Sequence, residues 1–476
     1  KVLFVLTQIG AEVPSYHSIS ILSAVAKQAG YETALLELRK LRLSALDEAI
    51  QLHHPQALAI TAVTQQIPYA KQIIAHCKQR YPEIVTMLGG THSIVRPNVI
   101  EEIPELDVLA TNEVEGPFVE LLAALERGER PRDIPNFSFR HGEEIVRPVR
   151  MYTCDESEMT ALPFEDRELF PRWKNTPKGI PLESLGIRPR FWFSRGCPYS
   201  CTYCAVPALR KLYPSKQFVR YPSVERVIAE LEHVADRWTW QTAIFDDDVF
   251  STRRDWILDW AAKYPSKLKE KGYEVCMRIE TAHDDVLRAL KDTNCTLLKF
   301  GLESGDYKLR KEVLKRNITD ERTIEVFERC RQLGLKAHTF CIVGFPDETR
   351  RQAWKTIRLN QKLKPDRTQI SIFYPYAGTE LGDASMAAGI VEGHGDNYFD
   401  ESVLKLTHLY KWEVKLYTRL FRLLVYAAYS PRLAWQEILG LWRRTVRDRV
   451  KRLLGVRTTT SRYDLEVGMT RTTEDS

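Results

Sequence analysis

The chain has 476 residues, 44% of them hydrophobic and 28% charged, as in ordinary folded globular proteins. Its length predicts two or three domains, and its composition excludes collagen-like, low-complexity and broadly disordered proteins. The net charge of +6 is unevenly distributed, because residues 405–456 carry 12 Lys or Arg against 3 Asp or Glu. That segment therefore has a net charge of +9, which leaves −3 for the rest of the chain.

Nine cysteines occur, an odd number without the regular spacing of a secreted disulfide scaffold. A reducing, cytoplasmic environment fits this usage better. The opening stretch KVLFVLTQIG has no basic region and no cleavage site, so we do not expect it to be a signal peptide. No window reaches the roughly 18 continuous apolar residues that a membrane-spanning helix needs.

Residues 1–130 alternate short apolar runs with amphipathic stretches, which predicts an α/β domain with a doubly wound parallel sheet. The predicted strands are KVLFVL, TALLEL, ALAITAV, VTMLGG and VLATN. The predicted helices are ISILSAVAKQAG, SALDEAIQL, QIPYAKQIIAHCKQR and NVIEEI. Sheets of this kind bind ligands at the carboxyl ends of their strands.

Two further segments follow before residue 400. Residues 131–187 contain seven prolines and are predicted to form a linker with one short hairpin, FSFRHGEEIVRP. Residues 188–400 then show six strand candidates separated by helical stretches: RFWFS, TAIFDDD, EVCMRIE, TLLKFGLE, AHTFCIVG and TQISIFYP. Six βα units predict an open, partial TIM-type barrel, since a complete barrel needs eight.

Residues 401–476 are predicted to be helical and basic, with a loose polar tail at the end. Two amphipathic stretches carry Trp412, Trp435 and Trp442 among Lys and Arg. Such helices either lie on an anionic membrane surface or cap the barrel. Nucleic-acid binding is a third use of a basic patch, but no aromatic platform for RNA accompanies it, so we expect no nucleic-acid partner.

The stretch FSRGCPYSCTYCAVP carries a C-x3-C-x2-C motif formed by Cys197, Cys201 and Cys204. Three thiolates in so short a loop can bind one face of an iron–sulfur cube, and with no fourth cysteine nearby one iron keeps an open position. Zinc is the alternative, but zinc sites usually have a second cysteine pair downstream, and none is visible. The loop follows a predicted strand, which places it at the catalytic end of the barrel.

This motif, with the aromatic Tyr203 before its last cysteine, resembles the signature of the radical S-adenosylmethionine superfamily, whose barrel also matches the six βα units. The resemblance implies one 4Fe-4S cluster whose open iron chelates S-adenosylmethionine. It also implies that one electron, from an external donor of the flavodoxin or ferredoxin type, splits the sulfonium bond to give a 5′-deoxyadenosyl radical.

The same resemblance assigns cofactor-binding roles to residues at the strand ends. Glu303 in FGLESG would contact S-adenosylmethionine, Arg278 in CMRIET would meet its carboxylate, and Tyr203 would lie beside the cluster. Val343 and Gly344 in CIVGFPDE would pack near the adenine. The alternative for Glu303 and Arg278 is a salt bridge on the barrel rim, and for Val343 a place in the core.

Three adjacent carboxylates, Asp246, Asp247 and Asp248, end the second strand of the barrel. Neighbouring carboxylates repel one another, so a buried set needs partners or raised pKa values. They either contact substrate or cofactor, or they decorate a helix N-terminus. The sequence assigns no catalytic residue.

A doubly wound domain ahead of such a barrel resembles the cobalamin-binding subgroup of the superfamily, over roughly residues 1–400. The resemblance implies cobalamin as a further cofactor, at the carboxyl ends of the third to fifth strands. The residues assigned to it are Thr61, Thr64, Gly89, Gly90, His92 and Glu113. The G-x-G-x-x-G and G-x-x-x-x-G-K-[ST] motifs are absent, which argues against nicotinamide and triphosphate cofactors.

One motif departs from other cobalamin domains. Domains like that of methionine synthase carry D-x-H-x-x-G after the first strand, where the His ligates cobalt. This chain has SYHSIS instead, without the Asp and the Gly. The radical subgroup commonly lacks the motif, so we expect His17 to be a surface or capping residue and not a cobalt ligand.

These features give a first hypothesis, a cobalamin-dependent radical methylase of an unactivated carbon. The second hypothesis is an anaerobic radical cyclase, similar to the oxygen-independent enzyme that closes the fifth ring of chlorophylls. A non-enzymatic cobalamin or redox sensor is the alternative of a different class. We expect a small-molecule or lipid substrate, and contact with a membrane surface through residues 405–456 stays open as the alternative to a cap on the barrel.

Overall fold

The computed structural model describes residues 1–9, 17–213, 218–393, 399 and 401–453, with side chains up to residue 443 in the last stretch. The chain divides into two compact units. The first comprises Lys1–Ile180, Ala205–Glu230 and Tyr376–Gly378, and the second comprises Pro181–Cys204, Leu231–Pro375 and the chain from Thr379 onward.

The first unit contains a seven-stranded sheet in the order β2-β1-β3-β4-β5-β6-β7. Its strands are β1 (Val2–Thr7), β2 (Thr33–Leu38), β3 (Ala57–Thr61), β4 (Val85–Gly89), β5 (Val108–Ala110), β6 (Phe137–His141) and β7 (Glu144–Val146). Strands β1 to β5 run parallel, and every residue of β1 is buried, because a parallel sheet is covered on both faces. The five apolar runs predicted as strands are therefore confirmed.

Eight helices belong to the described part of this unit: α1 (His17–Gln28), α2 (Leu43–His53), α3 (Ile67–Arg80), α4 (Thr91–Val95), α5 (Glu115–Glu126), α6 (Glu156–Ala161), α7 (Pro171–Lys174) and α8 (Val206–Arg210). The predicted helix NVIEEI is wrong, since only a 3-10 turn at Pro97–Ile100 forms there. Pro104 disfavours helical backbone at Ile103, so the turn does not extend.

The proline-rich stretch 131–187 contributes structure where a linker was predicted. Its hairpin forms β6 and β7, which extend the sheet antiparallel from β5. Gly142, with a φ of +64°, makes the turn between them. Residues 131–180 therefore belong to the first unit, and residues 181–187 to the second.

The second unit contains a six-stranded sheet in the order β13-β12-β11-β10-β9-β8, with every neighbouring pair parallel. Its strands are β8 (Arg190–Phe191), β9 (Thr242–Phe245), β10 (Gly272–Met277), β11 (Cys295–Glu303), β12 (Ala337–Val343) and β13 (Arg367–Ile372). The spatial order follows the chain, as successive right-handed βα units require. All six predicted strands form, and β8 is the shortest of them.

The remaining helices are α9 (Val224–Arg237), which contains the division at residue 230, α10 (Arg254–Lys263), α11 (Asp284–Asp292), α12 (Asp320–Gln332), α13 (Arg350–Leu363), α14 (Glu380–Ala387), α15 (Lys411–Tyr426) and α16 (Pro431–Leu453). Side chains of Thr319 and Thr349 cap α12 and α13 by accepting hydrogen bonds from the backbone three residues on. Helices α15 and α16 confirm the predicted helical C-terminal segment, and the polar tail 454–476 lies outside the described residues.

No helix within the described ranges has both the length and the apolar character needed to cross a bilayer.

Gly305 follows β11 at a point that has no room for a side chain. A Cβ atom there would lie 2.2 Å from the backbone oxygen of Lys355 in α13. We expect Gly305→Ala to lower the free energy of unfolding by about 1–3 kcal/mol, because overpacking against backbone forces the helix to move. Urea unfolding of the apoprotein measures the loss. Gly116→Ala is the control, since its Cβ would meet no atom nearer than 3.4 Å, and equal losses in the two variants would contradict this packing.

Candidate functional site

The carboxyl ends of the second unit's strands carry the residues that the sequence singled out. The three cysteines lie on the loop that follows β8, and Arg278 follows β10 directly. Glu303 is the last residue of β11, and Val343 is the last residue of β12. Because parallel strands end at one edge of the sheet, these residues share the rim where barrel enzymes place their chemistry.

The sulfur of Cys201 faces two guanidinium groups. Cys201 is only 7% exposed, and its Sγ lies 3.1 Å from Nη1 of Arg278 and 3.6 Å from Nη1 of Arg316. Arg278 is itself buried, packs over the ring of Tyr199 at 3.7 Å, and forms an ion pair with Glu280. Two buried cations beside one sulfur suit an anionic group at this position.

Arg316 is a site residue that sequence reasoning missed. Its Nη1 lies 3.4 Å from the hydroxyl of Tyr203 and 3.9 Å from Oε1 of Glu303, and its Nη2 donates to the backbone oxygen of Gly301. One guanidinium thus contacts both the cysteine loop and the end of β11. No motif marks Arg316, which comes shortly after the π-helical turn Leu309–Val313, so only the folded chain identifies it.

Glu303 adopts an unusual backbone conformation at the rim. Its φ of +65° lies in the left-handed region, which residues other than glycine enter rarely. Burial raises the pKa of the Glu303 carboxyl, and the charge of Arg316 partly offsets this. A Cβ on Gly301 would lie 2.3 Å from Oε1 of Glu303, so Gly301 is needed for the carboxylate to fold back.

The segment after β12 is held by Glu348, a second residue that was not singled out. Its Oε2 accepts hydrogen bonds from the backbone N–H groups of Gly344 at 2.6 Å and Phe345 at 3.3 Å. Burial raises the pKa of Glu348 to about 8. Gly344 has a φ of +83°, and Val343 is buried in the core. The signal was present in GFPDE, where an acidic residue follows a glycine turn at the end of a strand.

Tyr203 lies within the same cluster of contacts. Its ring packs against Phe345 in a T-shaped arrangement with centroids 6.3 Å apart. Burial raises the pKa of the Tyr203 hydroxyl, and Glu303 adds to this effect. The structure therefore brings Cys201, Tyr203, Arg278 and Glu303 into one network through the two arginines. Their contacts with S-adenosylmethionine remain predictions.

The three adjacent aspartates have separate environments. Asp246 forms a bidentate ion pair with Arg190 of β8. Asp247 is buried and accepts hydrogen bonds at 2.5 Å from both the backbone N–H and the hydroxyl of Ser194. Asp248 is exposed. Asp246 and Asp247 therefore connect β9 to the strand and residues that lead into the cysteine loop.

The ligand set of the cysteine loop fits a cluster better than a single metal ion. Within the part of the chain that the structure describes, no three His, Cys, Asp or Glu side chains converge on a single metal ion. A 4Fe-4S cluster takes one thiolate per iron, so its ligands need not meet at a point. The two arginines at Cys201 supply the positive charge that such an anionic ligand set requires, and the residues present fit the group.

The candidate cobalamin residues lie in the first unit, at the carboxyl ends of β3 and β4. Thr61 ends β3, and Gly89 ends β4. Gly90 follows with a φ of +100°, and a Cβ there would lie 2.6 Å from the backbone oxygen of Ala62. Gly90 is therefore required for the two strand ends to approach each other, and the edge presents backbone and small side chains, which fits close approach by a large cofactor.

Thr64 and His92 form a polar pair near the same edge. Nδ1 of His92 lies 3.1 Å from Oγ1 of Thr64, so each orients the other. Burial, with Arg96 nearby, lowers the pKa of His92, which favours the neutral imidazole at physiological pH. The structure brings these two predicted residues together, and their contact with cobalamin remains a prediction.

Glu113 has a different set of partners. Its carboxylate forms a bidentate ion pair with Arg220, at 2.6 and 2.9 Å, and also accepts a hydrogen bond from the backbone of Cys154 at 3.0 Å. Both oxygens are thus engaged within the first unit. We assign Glu113 to holding these segments together, and its predicted contact with the cofactor gains no support from this geometry.

His17 was expected to be a surface or capping residue, but its side chain is buried. It begins α1 with a side chain only 4% exposed, and its Nδ1 lies 2.7 Å from Oε1 of Glu165. A buried imidazole needs a polar partner, and a carboxylate far along the chain provides it. Ser15, in the same motif, lies outside the described residues.

Asp247 gives a prediction about pH. Burial raises its pKa to about 7 despite the hydrogen bonds from Ser194, whereas an unfolded Asp titrates near about 4. Between these values the unfolded chain binds fewer protons than the folded chain, so this group lowers the stability as the pH rises. Asp247→Asn keeps the accepting oxygen without the charge and should flatten that slope.

Urea unfolding of the apoprotein across this pH range measures the effect. The matched control is Asp292→Asn, because Asp292 is exposed at the end of α11 and should leave the wild-type slope unchanged. An Asp247→Asn slope equal to that of the wild type would contradict the assignment.

Comparisons with known proteins agree with both units. A family model described as the radical SAM superfamily matches residues 193–359, and one described as the B12 binding domain matches residues 4–122. An uncharacterized methyltransferase of Pyrococcus horikoshii is 26% identical over 388 residues, covering 81% of this chain and 79% of that protein. The anaerobic magnesium-protoporphyrin IX monomethyl ester cyclase of Cereibacter sphaeroides is 24% identical over 348 residues, covering 71% of this chain and 54% of that protein.

A solved structure shows the same fold. The radical S-adenosylmethionine methyltransferase TsrM from Kitasatospora setae, with cobalamin and a 4Fe-4S cluster bound, aligns with a TM-score of 0.64 at 16% identity. The alignment covers 90% of this chain and 91% of that one.

The two family matches fall on the first sheet and on the rim that carries the cysteine loop. They confirm a radical enzyme whose cofactors are one 4Fe-4S cluster, S-adenosylmethionine and cobalamin. The chain therefore carries a radical S-adenosylmethionine domain preceded by a B12-binding domain, which is the arrangement expected of the cobalamin-binding subgroup of that superfamily.

Proposed function

We propose that the protein is a methylase that transfers a methyl group to an unactivated carbon. The observation that carries the proposal is the buried sulfur of Cys201 facing Arg278 and Arg316, on a rim in the same chain as a B12-binding domain. The similarity to the Pyrococcus horikoshii methyltransferase supports methyl transfer over other outcomes of the same radical chemistry.

When bound, the cluster and S-adenosylmethionine supply a 5′-deoxyadenosyl radical that abstracts hydrogen, and cobalamin carries the methyl group. Cys197, Cys201 and Cys204 would hold the cluster. Arg278 and Arg316 would offset its negative charge, because an arginine side chain stays protonated even when it is buried. In this reaction no side chain of the protein has to act as a general base.

Contacts among the rim residues fix the orientation of the groups that face the cluster loop. Glu303, buried with a left-handed backbone, presents a carboxylate whose orientation Arg316 and Gly301 fix. Glu348 holds the backbone of Gly344 and Phe345 in a fixed turn at the end of β12, the segment to which the family resemblance assigns the adenine contact. Such preorganisation limits the side reactions of a radical.

The proposal includes partners. Reduction of the cluster needs an external electron donor, which we infer to be a flavodoxin or ferredoxin type protein. We infer a small-molecule or lipid substrate. We also infer peripheral attachment at a membrane, because tryptophans of α15 and α16 are exposed.

A second candidate function is radical ring closure without methyl transfer. The similarity to the Cereibacter sphaeroides cyclase supports it, although this chain covers only 54% of that protein. The same two cofactor sites would serve both reactions, so the mass of the product distinguishes them.

The reaction type is tested by mass spectrometry. The anaerobically reconstituted enzyme, with iron and cobalamin quantified, is incubated with S-adenosylmethionine, reductant and candidate lipids, tetrapyrroles or peptides. We expect a product that has gained one methyl group in place of hydrogen, with deuterium from labelled S-adenosylmethionine methyl retained. A product that has lost two hydrogens without gaining carbon would instead support the cyclase.

Cys201→Ala should abolish 5′-deoxyadenosine formation, because the cluster loses one of three ligands. Cobalamin should still bind, since its predicted residues lie in the first unit. Liquid chromatography measures the nucleoside, and the visible spectrum measures cobalamin. Cys330→Ala, a buried cysteine of α12, is the control and should retain both properties. Loss of cobalamin from Cys201→Ala would show that the two cofactor sites are not independent.

A further inference from the structure

Over residues 431–443, where its side chains are described, helix α16 packs against α15 through one face. Ala434 is buried, and Glu437 forms an ion pair with Arg422 of α15 at 2.6 Å. These two residues are three apart and therefore lie on the same side of the helix. That side faces α15, which leaves the opposite side of α16 to be explained.

The uncovered side carries an apolar stripe. Its members, which we call the α16 stripe, follow the spacing i, i+3, i+4 and i+7 that aligns side chains along one helix face. They are Trp435, Ile438, Leu439 and Trp442, with exposed fractions of 60%, 42%, 37% and 64%. A helix that only capped the barrel would present polar residues there, and contiguous exposed apolar surface marks an interaction site.

The charge of the same helix indicates what the stripe would meet. Residues 431–453 contain seven Lys or Arg and two acidic residues, and one of these, Glu437, is already paired with Arg422. Six of the seven cations follow the stripe, from Arg443 to Arg452. An apolar helix face followed by a strongly basic stretch is complementary to a surface with negatively charged groups on the outside and an apolar layer beneath them.

We propose that the α16 stripe docks the protein on an anionic lipid bilayer, with α16 lying in the plane of the interface. Tryptophan is enriched at the depth of lipid head groups, while Ile438 and Leu439 gain by entering the acyl region. A single-stranded nucleic acid would use aromatic platforms and gain nothing from two aliphatic side chains between them. The proposal stands independently of the methylase assignment.

Vesicle flotation of the full-length holoprotein tests the proposal. We expect flotation with vesicles containing phosphatidylglycerol, weaker flotation with pure phosphatidylcholine, and release by about 0.5 M salt, because the attraction of the cations is screened. The double variant Trp435→Ser, Trp442→Ser should bind the anionic vesicles roughly tenfold more weakly or worse.

The matched control is Leu52→Ser, which removes an apolar side chain that is 73% exposed on α2 and should leave flotation unchanged. All variants should still form 5′-deoxyadenosine at the wild-type rate in the absence of vesicles, which shows that they are folded. Quenching of wild-type tryptophan fluorescence by brominated lipids gives a second measure of insertion that needs no variant.

Several results would overturn the proposal. The proposal is wrong if the holoprotein fails to float with anionic vesicles, or if the double variant floats as well as the wild type. If light scattering shows a dimer in the wild type that the double variant does not form, the α16 stripe is instead a contact between two copies of the chain. Binding to an oligonucleotide that the double variant loses, without binding to vesicles, would assign it to nucleic acid.

Discussion

Buried positive charge beside the sulfur of Cys201 is the constraint on which the second unit's site depends. Arginine does not lose its proton inside a protein, so Arg278 and Arg316 need negative charge close by. Glu280 and Glu303 supply part of it, at contacts that the structure shows. The three cysteines, as thiolate ligands of a bound cluster, would supply the rest. This requirement explains why the ends of β10 and β11 and the cysteine loop meet at one point of the rim.

Much of this arrangement follows from local sequence. Parallel strands are buried on both faces, so runs such as those of β1 and β11 are apolar enough to be recognised without a partner in view. The spacing of Cys197, Cys201 and Cys204 identified the loop because three soft ligands in eight positions have few other uses. The stretch NVIEEI shows the limit, since its helical pattern is overruled by a proline at residue 104.

The rest of the site was beyond sequence reasoning because it depends on partners far apart in the chain. Arg316 reaches Cys201 across 115 positions, and His17 reaches Glu165 across 148. No sequence motif around Arg316 or His17 predicts which residue it contacts. Glu113 illustrates the opposite case: its place near the end of the fifth strand suggested a ligand contact, whereas Arg220 pairs with both of its carboxylate oxygens. Long-range ion pairs of this kind leave no periodic trace in a sequence.

The way β8 is attached to its sheet affects how the enzyme loses activity when it is heated or partly denatured. This strand lies at one edge of its sheet with only two residues in the ladder; Phe191 packs on Phe245 of β9, Asp246 pairs with Arg190, and Asp247 holds Ser194 just beyond the strand. The iron ligands begin a few residues later, at Cys197. Warming or mild denaturant would therefore detach this margin first and release the metal while most helices persist, so inactivation would precede melting.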